Sequence, residues 1–246
     1  MALFNFVKRF TSPSPRPVGA ELWRKFADMH SHIIPGVDDG SGSFEESTEM
    51  IKVAYRSGVR QLYATSHIRD GWRTESAALK EKFSALLAWK ERVGYNDLTL
   101  HLSAEYMMDD LFIDQLKRGD ILPMPGNLLL LETSYYAPAY NLNDMLFEVQ
   151  IAGYTPLLAH PERYQFYQEK PEAYDTFKEK GYLFQLDLLS LEGAYGRTTR
   201  KTALMLLEKG YIDYVGSDMH SVRDAEAIER LLQSPDSAPL FSLLHR

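Results

Sequence analysis

Apolar positions along this chain recur with two periods. Short runs over 61–65, 128–131, 155–159 and 183–188 are continuously apolar or alternate, as strands buried in a sheet do. Between them the spacing turns helical. Met50, Ile51, Ala54 and Tyr55 share one face after Ser43-Phe44-Glu45-Glu46, a capping-box sequence, and Gly58 stops that helix. Further helices are predicted over 75–92, near 109–117, and over 143–152, 171–180 and 199–209, with a mostly helical tail from Arg223. Strands are predicted over 25–29, 61–65, 98–104, 128–131, 155–159, 183–188 and 213–216. Pro123, Pro125 and Gly126 make the turn ahead of the fourth.

Seven strands, each followed by a helix, imply parallel pairing through right-handed crossovers. The expected fold is α/β, a barrel-like and irregular arrangement, because seven units do not complete a regular eight-fold barrel. An open doubly wound sheet is the structural alternative. Residues 21–246 show no internal repeat and no second boundary, and read as a single domain. Residues 1–20 read as an extension: Leu3, Phe4, Phe6, Val7 and Phe10, then a stiff linker with Pro13, Pro15 and Pro17. Lys8 and Arg9 follow the apolar stretch, which is not the order of a secretory signal. The stretch is expected to pack on the protein's own body; docking on a partner or membrane surface is the other reading.

Composition narrows the chemistry. The 246 residues are 45 % hydrophobic and 25 % charged, ordinary for a globular domain. No apolar run reaches the roughly 18 residues of a transmembrane helix. A net charge of −7 argues against nucleic acid or anionic lipid as a partner of the whole surface, and leaves room for a local cationic pocket. Cysteine is absent. Disulfides, thiolate zinc sites, iron–sulfur clusters and cysteine nucleophiles are therefore excluded.

Chemistry in a parallel α/β barrel gathers where strands end. The first strand runs into Asp28-Met29-His30-Ser31-His32, and residues at i and i+2 of an extended segment share a face. Asp38-Asp39-Gly40 follows in the loop. Later strands end at His67, Glu105 and His160, and the last runs into Ser217-Asp218-Met219-His220. A single histidine at such a place is ordinarily a hydrogen-bonded rim residue. Here five of seven histidines sort to one end, while His101 begins its strand and His245 lies in the tail. With Asp39, Glu105 and Asp218, they exceed what one ion uses, so two or three divalent metals are expected. Imidazole and carboxylate without thiolate suit manganese, iron or zinc. Paired metals clamp the attacking and leaving oxygens of a displacement, which makes phosphoester hydrolysis the natural match.

Arg163, in His160-Pro161-Glu162-Arg163-Tyr164, is placed to hold phosphate oxygens. Arg69 and Arg223 lie similarly near His67 and His220. Glu132 and Asp187 also end strands and are read as groups that orient ligand histidines. Tyr106, Tyr135, Tyr136 and Tyr164 follow strand ends and can stack on an aromatic substrate or simply pack.

His30-Ser31-His32, Val37-Asp38-Asp39-Gly40, Thr65-Ser66-His67, Ala104-Glu105, His160-Pro161-Glu162-Arg163-Tyr164 and Ser217-Asp218-Met219-His220 together resemble the PHP (polymerase and histidinol phosphatase) superfamily. They look most like its bacterial capsule-type tyrosine phosphatases, over about residues 26–230. The resemblance implies a distorted seven-stranded barrel with a trinuclear centre, usually of manganese. It implies one metal on His30, His32, Glu105 and Asp218, a second on Glu105 and His160, and a third on Asp39, His67 and His220. Arg163 would bind phosphate, and Arg223 stands for the family's second arginine. Metal-bound hydroxide would hydrolyse phosphotyrosine in one step. The substrate would be the tyrosine-rich tail of a bacterial tyrosine kinase controlling capsule or exopolysaccharide production. The location would be cytoplasmic, at the inner membrane if the extension docks there. A PHP phosphatase of a small phosphoester such as histidinol phosphate is the alternative, because metal ligands fix the reaction and loops fix the substrate. An amidohydrolase barrel would need a lysine on the fourth strand, and 128–132 has none. A regulatory module that has lost activity should lack ligands, yet all eight positions carry competent types.

Overall fold

The computed structural model describes residue 24, residues 27–72 and residues 74–243, so the extension expected over 1–20 lies outside the described residues. Among them the strand segments number nine, where the sequence pattern predicts seven. The difference comes from two interruptions. The predicted second strand becomes β2 (Gln61–Ala64) and β3 (His67–Ile68), broken at Thr65 and Ser66. The third becomes β4 (Thr99–Leu102) and β5 (Glu105–Met107), broken at Ser103 and Ala104. At the breaks the backbone bonds elsewhere: Glu105 N–H donates to the carbonyls of Thr65 (3.1 Å) and Ser66 (3.2 Å), and Ser103 N–H to Ala64 (2.9 Å).

All ladders are parallel. β1 (Ala27–Ser31), β2 and β4 form one sheet in the order β1-β2-β4. β3 and β5 continue through β6 (Leu128–Glu132), β7 (Thr155–Ala159), β8 (Leu183–Asp187) and β9 (Tyr214–Gly216) in that order. The sheet curls until the far edges meet. Asp218 N–H donates to the His30 carbonyl (2.8 Å) and His32 N–H to the Met219 carbonyl (3.0 Å). This pairing also carries the first strand two residues past its predicted end at Met29, and a register shift between Asp28 and Ser31 marks a bulge where the histidines begin.

Helices α1 (Phe44–Arg56), α2 (Ser76–Val93), α3 (Asp110–Arg118), α4 (Leu142–Ile151), α5 (Gln165–Gln168), α6 (Glu172–Glu179), α7 (Leu189–Glu192) and α8 (Arg197–Glu208) connect the strands, and α9 (Val222–Gln233) follows β9. Helix α1 begins as its sequence requires: the Ser43 hydroxyl accepts the Glu46 N–H at 3.1 Å. Its Met50, Ile51, Val53 and Ala54 are buried in the larger apolar core. A second, smaller core of Met29, Tyr63, Met124, Leu128, Leu130, Leu157 and Ala159 fills the inside of the curl. Strand alternation then puts Glu132 on the face of Leu128 and Leu130, one step beyond that apolar plug. The plug closes one end of the curl, and the polar residues occupy the other.

Candidate active site

Each expected metal ligand except Asp39 and His220 is at least nine-tenths buried, and the group is built from strand ends and the residues just past them. His30 Nε2 and His32 Nε2 stand 2.9 Å apart. His30 Nε2 lies 3.2 Å from Glu105 Oε2 and 3.1 Å from Asp218 Oδ1. His67 Nδ1 lies 2.9 Å from Glu105 Oε2 and 3.1 Å from Glu132 Oε1. Asp39 Oδ1 is 3.5 Å from the Nε2 atoms of both His67 and His220. Three sets of donors converge closely enough to hold an ion: His30, His32, Glu105 and Asp218; His32, Asp39, His67 and His220; and His67, Glu105 and Glu132. His160 joins through Glu105, its Nε2 being 3.0 Å from Oε1.

The donor geometry fits metal ions. Glu105 Oε2, His67 Nδ1, Glu132 Oε1 and Asp218 Oδ1 are buried, yet none makes an aligned hydrogen bond. Orphaned polar atoms of that depth normally cost about 1–3 kcal/mol each. They aim at shared points rather than at one another, with the roughly 3 Å separations that ligands of one ion bound at about 2.1 Å must have. Charge tells the same story. Burial opposes a charged imidazole, but Glu105 and Asp218 outweigh it and raise His30 to about 10; Glu105 and Glu132 likewise raise His67 to about 11. His160 goes the other way, lowered by burial and by Arg163, so it offers a neutral imidazole.

A ring of supporting groups fixes the histidines. Gln185 Oε1 takes His30 Nδ1 at 2.9 Å, and Asp38 Oδ2 takes His32 Nδ1 at 3.0 Å while accepting the His67 N–H at 2.9 Å. Asp28 accepts the N–H groups of Ser217 (2.8 Å) and His30 (3.3 Å), tying β1 to the segment after β9. Two glycines permit the close approach. A Cβ on Gly216 would collide with His30 Cβ, and one on Gly40 with His32 Cβ and the His32 carbonyl. His160 and Asp218 both have positive φ, 36° and 50°, a strained backbone for such residues that site geometry commonly demands.

A pocket of about 350 Å³ opens onto this cluster, lined among others by Asp39, His67, Arg69, Glu132, Tyr135, Tyr136, Arg163, Asp218 and His220. Arg163 reaches in from the turn after β7. Its Nη1 donates to Asp218 Oδ2 (2.5 Å) and Asp187 Oδ2 (3.3 Å). Tyr135 and Tyr195 cover its faces, with ring centroids 4.6 Å and 4.0 Å away. Arg223 is not among the pocket's lining. It is exposed near the start of α9 and lines a separate cavity with Glu192, Asp224 and Arg230. Tyr106 and Tyr164 are buried packing residues, their hydroxyls bonded to the Leu122 N–H and the Ala159 carbonyl. Gln185, Tyr195 and Trp72 enter the site unannounced by any motif, and Asp38, quoted from sequence only as part of its loop motif, proves to orient His32. Strand alternation from Asp187 could have found Gln185.

The family model for capsular polysaccharide synthesis, CpsB/CapC, matches residues 26–229. The chain belongs to the CpsB/CapC family. Tyrosine-protein phosphatase YwqE of Bacillus subtilis is 32 % identical over 201 residues, 80 % of this chain and 78 % of the relative. Tyrosine-protein phosphatase CpsB of Streptococcus pneumoniae is 29 % identical over 204 residues, 79 % and 83 % of the two chains. The fold matches a structure from crystallographic work on YwqE and CpsB, described as unique metal-dependent tyrosine phosphatases, with a TM-score of 0.76 and 28 % identity. That match covers 89 % of this chain and 86 % of the other.

Proposed function

We propose that this CpsB/CapC family member is a metal-dependent protein tyrosine phosphatase. The observation that carries the reading is the convergence of orphaned carboxylate and imidazole atoms beneath a pocket that also holds Arg163. The names of its relatives supply the reaction class. His30, His32, Glu105 and Asp218 would hold one divalent ion, Asp39, His67 and His220 another, and Glu105 and Glu132, with His160 beside Glu105, a third. Glu132, read from sequence as an orienting group, thereby becomes a ligand in its own right. Manganese is the ion we favour, with iron or zinc compatible with the same donors. The nine segments then amount to a distorted seven-stranded barrel of PHP type.

Bound divalent ions supply Lewis acidity and a water of lowered pKa. The chain supplies the rest. Arg163 presents a guanidinium whose faces are clamped by two rings and whose position is set by Asp187 and Asp218, so it meets the equatorial phosphoryl oxygens already oriented. Burial drives the pKa values of Tyr135 and Tyr195 upward, so both clamps stay neutral. Phenol, with a pKa near 10, leaves without a strong general acid. Tyr136, 77 % exposed at the pocket's edge, can meet residues around the phosphotyrosine. The substrate we favour is the tyrosine-rich tail of a bacterial tyrosine kinase, met in the cytoplasm. Among the described residues no helix is long and apolar enough to cross a membrane.

The test is hydrolysis by manganese-loaded protein of a phosphotyrosine peptide, a phosphoserine peptide and histidinol phosphate side by side. Turnover confined to phosphotyrosine is expected. Turnover chiefly on histidinol phosphate would replace the substrate and keep the metal site.

A further inference from the structure

Two arginines line the pocket, and they stand in opposite electrostatic conditions. Arg163 is committed to Asp218 and Asp187 and raised in pKa by them against the effect of burial. Arg69 has no carboxylate within ion-pair distance among the described residues. Its placement is nevertheless fixed. Ile68 is buried in the larger core, so strand alternation turns His67 and Arg69 to the pocket side. A tight turn through Asp70 and Gly71 pairs Arg69 with Trp72: the Trp72 N–H donates to the Arg69 carbonyl at 2.9 Å, and the Arg69 N–H returns to Trp72 at 3.4 Å. The guanidinium carbon lies 4.2 Å over the Trp72 ring, which in turn lies nearly parallel to His67 at 5.6 Å. Stacking occupies the face of a guanidinium and leaves its in-plane N–H donors free.

A dianionic phosphoryl group entering this pocket passes Asp39, Glu132 and Asp218. Arg163 is already shared between two carboxylates, so among the described lining residues the guanidinium not paired with a carboxylate is that of Arg69. We propose that Arg69, braced by Trp72, binds the phosphoryl oxygens of the substrate from a different strand of the pocket wall than Arg163. The inference rests on the phosphatase reading for its substrate and on the pocket geometry for its residue. β3, which carries Arg69, and β7, which precedes Arg163, are separated by β5 and β6. The two guanidiniums therefore approach a bound phosphoryl group from different strands.

The experiment uses the full chain loaded with manganese, and inorganic phosphate as the probe, its affinity measured by titration calorimetry. Arg69→Ala should weaken phosphate binding about 10- to 100-fold, as loss of a charge-assisted contact does. Arg69→Lys should recover part of it, and metal content should stay unchanged. On phosphotyrosine and on phosphotyrosine peptides kcat/KM should fall by the same factor whatever the flanking residues. Unaltered phosphate affinity in Arg69→Ala would overturn the proposal. So would a loss confined to peptides with acidic flanks, which would make Arg69 a reader of peptide charge, or a loss of bound metal. If the wild-type protein binds phosphate but leaves phosphotyrosine intact, the phosphatase reading fails while the Arg69 dependence of phosphate binding still decides this one.

Discussion

Replacing Gly216 by alanine tests whether the site depends on how closely β1 and β9 approach. A Cβ there would overlap His30 Cβ, lie 2.7 Å from Gln185 Nε2 and 3.0 Å from His30 N. Carbon atoms in packed interiors stand about 3.5–4.0 Å apart. Relief therefore requires the strand carrying His30 to retreat by roughly 1 Å, twice the tolerance of about 0.5 Å for a preorganised ligand set. Gln185, which orients His30 through Nδ1, would be pushed as well. Overpacking of this kind costs about 1–3 kcal/mol. For a chain of this size that lowers Tm by about 2–4 °C per kcal/mol, or about 2–12 °C altogether. Metal affinity should fall further in proportion, by about 10- to 100-fold, because both a ligand and its orienting partner move. Thermal melts and metal content after gel filtration read the two effects separately. A Gly216→Ala protein with wild-type Tm, full metal and full turnover would refute the claim that this contact sets the ligand geometry.

Glu132→Ala should fold, since Glu132 sits beyond the apolar plug, but should retain fewer metal equivalents per chain by elemental analysis; unchanged stoichiometry would return Glu132 to an orienting role. Arg163→Ala should keep its metal and lose kcat by about 10²-fold or more, as removal of a preorganised charge stabiliser does; wild-type kinetics would take Arg163 out of the mechanism. In stripped protein His30, His67 and His220, raised to about 10, 11 and 9, carry protons at pH 7 that metal must displace. For His220 burial opposes the rise and Asp39 drives it. Metal uptake should therefore release protons, and apparent affinity should climb from pH 6 through 9; a pH-independent affinity would contradict the protonation states assigned here.

The strand-end chemistry was legible because it obeys a rule of position. Parallel strands point the same way, so His67, Glu105 and His160 had to share an end once their segments were read as strands. His101 shows the rule from the other side: expected at the start of its strand, it lies within β4, its ring stacked on Tyr63 at 4.3 Å and away from the cluster. Other features turn on distances that no spacing encodes. Whether Glu132 orients a ligand or is one depends on an ångström of side-chain placement. The breaks at Thr65–Ser66 and Ser103–Ala104 arise from cross-strand hydrogen bonds between segments some forty residues apart. Tyr195 reaches Arg163 from the loop ahead of α8, thirty-two positions along the chain, and nothing local marks it. Arg223 illustrates the converse, since its neighbourhood to His220 in sequence does not carry it into the pocket.

On the proposed function, phosphotyrosine hydrolysis depends on divalent metal held by this donor set. The direct measurement is a titration of manganese into chelator-stripped protein, following bound metal per chain and phosphotyrosine turnover together. Turnover should be absent at zero metal and rise to its plateau as two to three equivalents bind. Full turnover in stripped protein, or bound metal at that stoichiometry with no turnover, would contradict it.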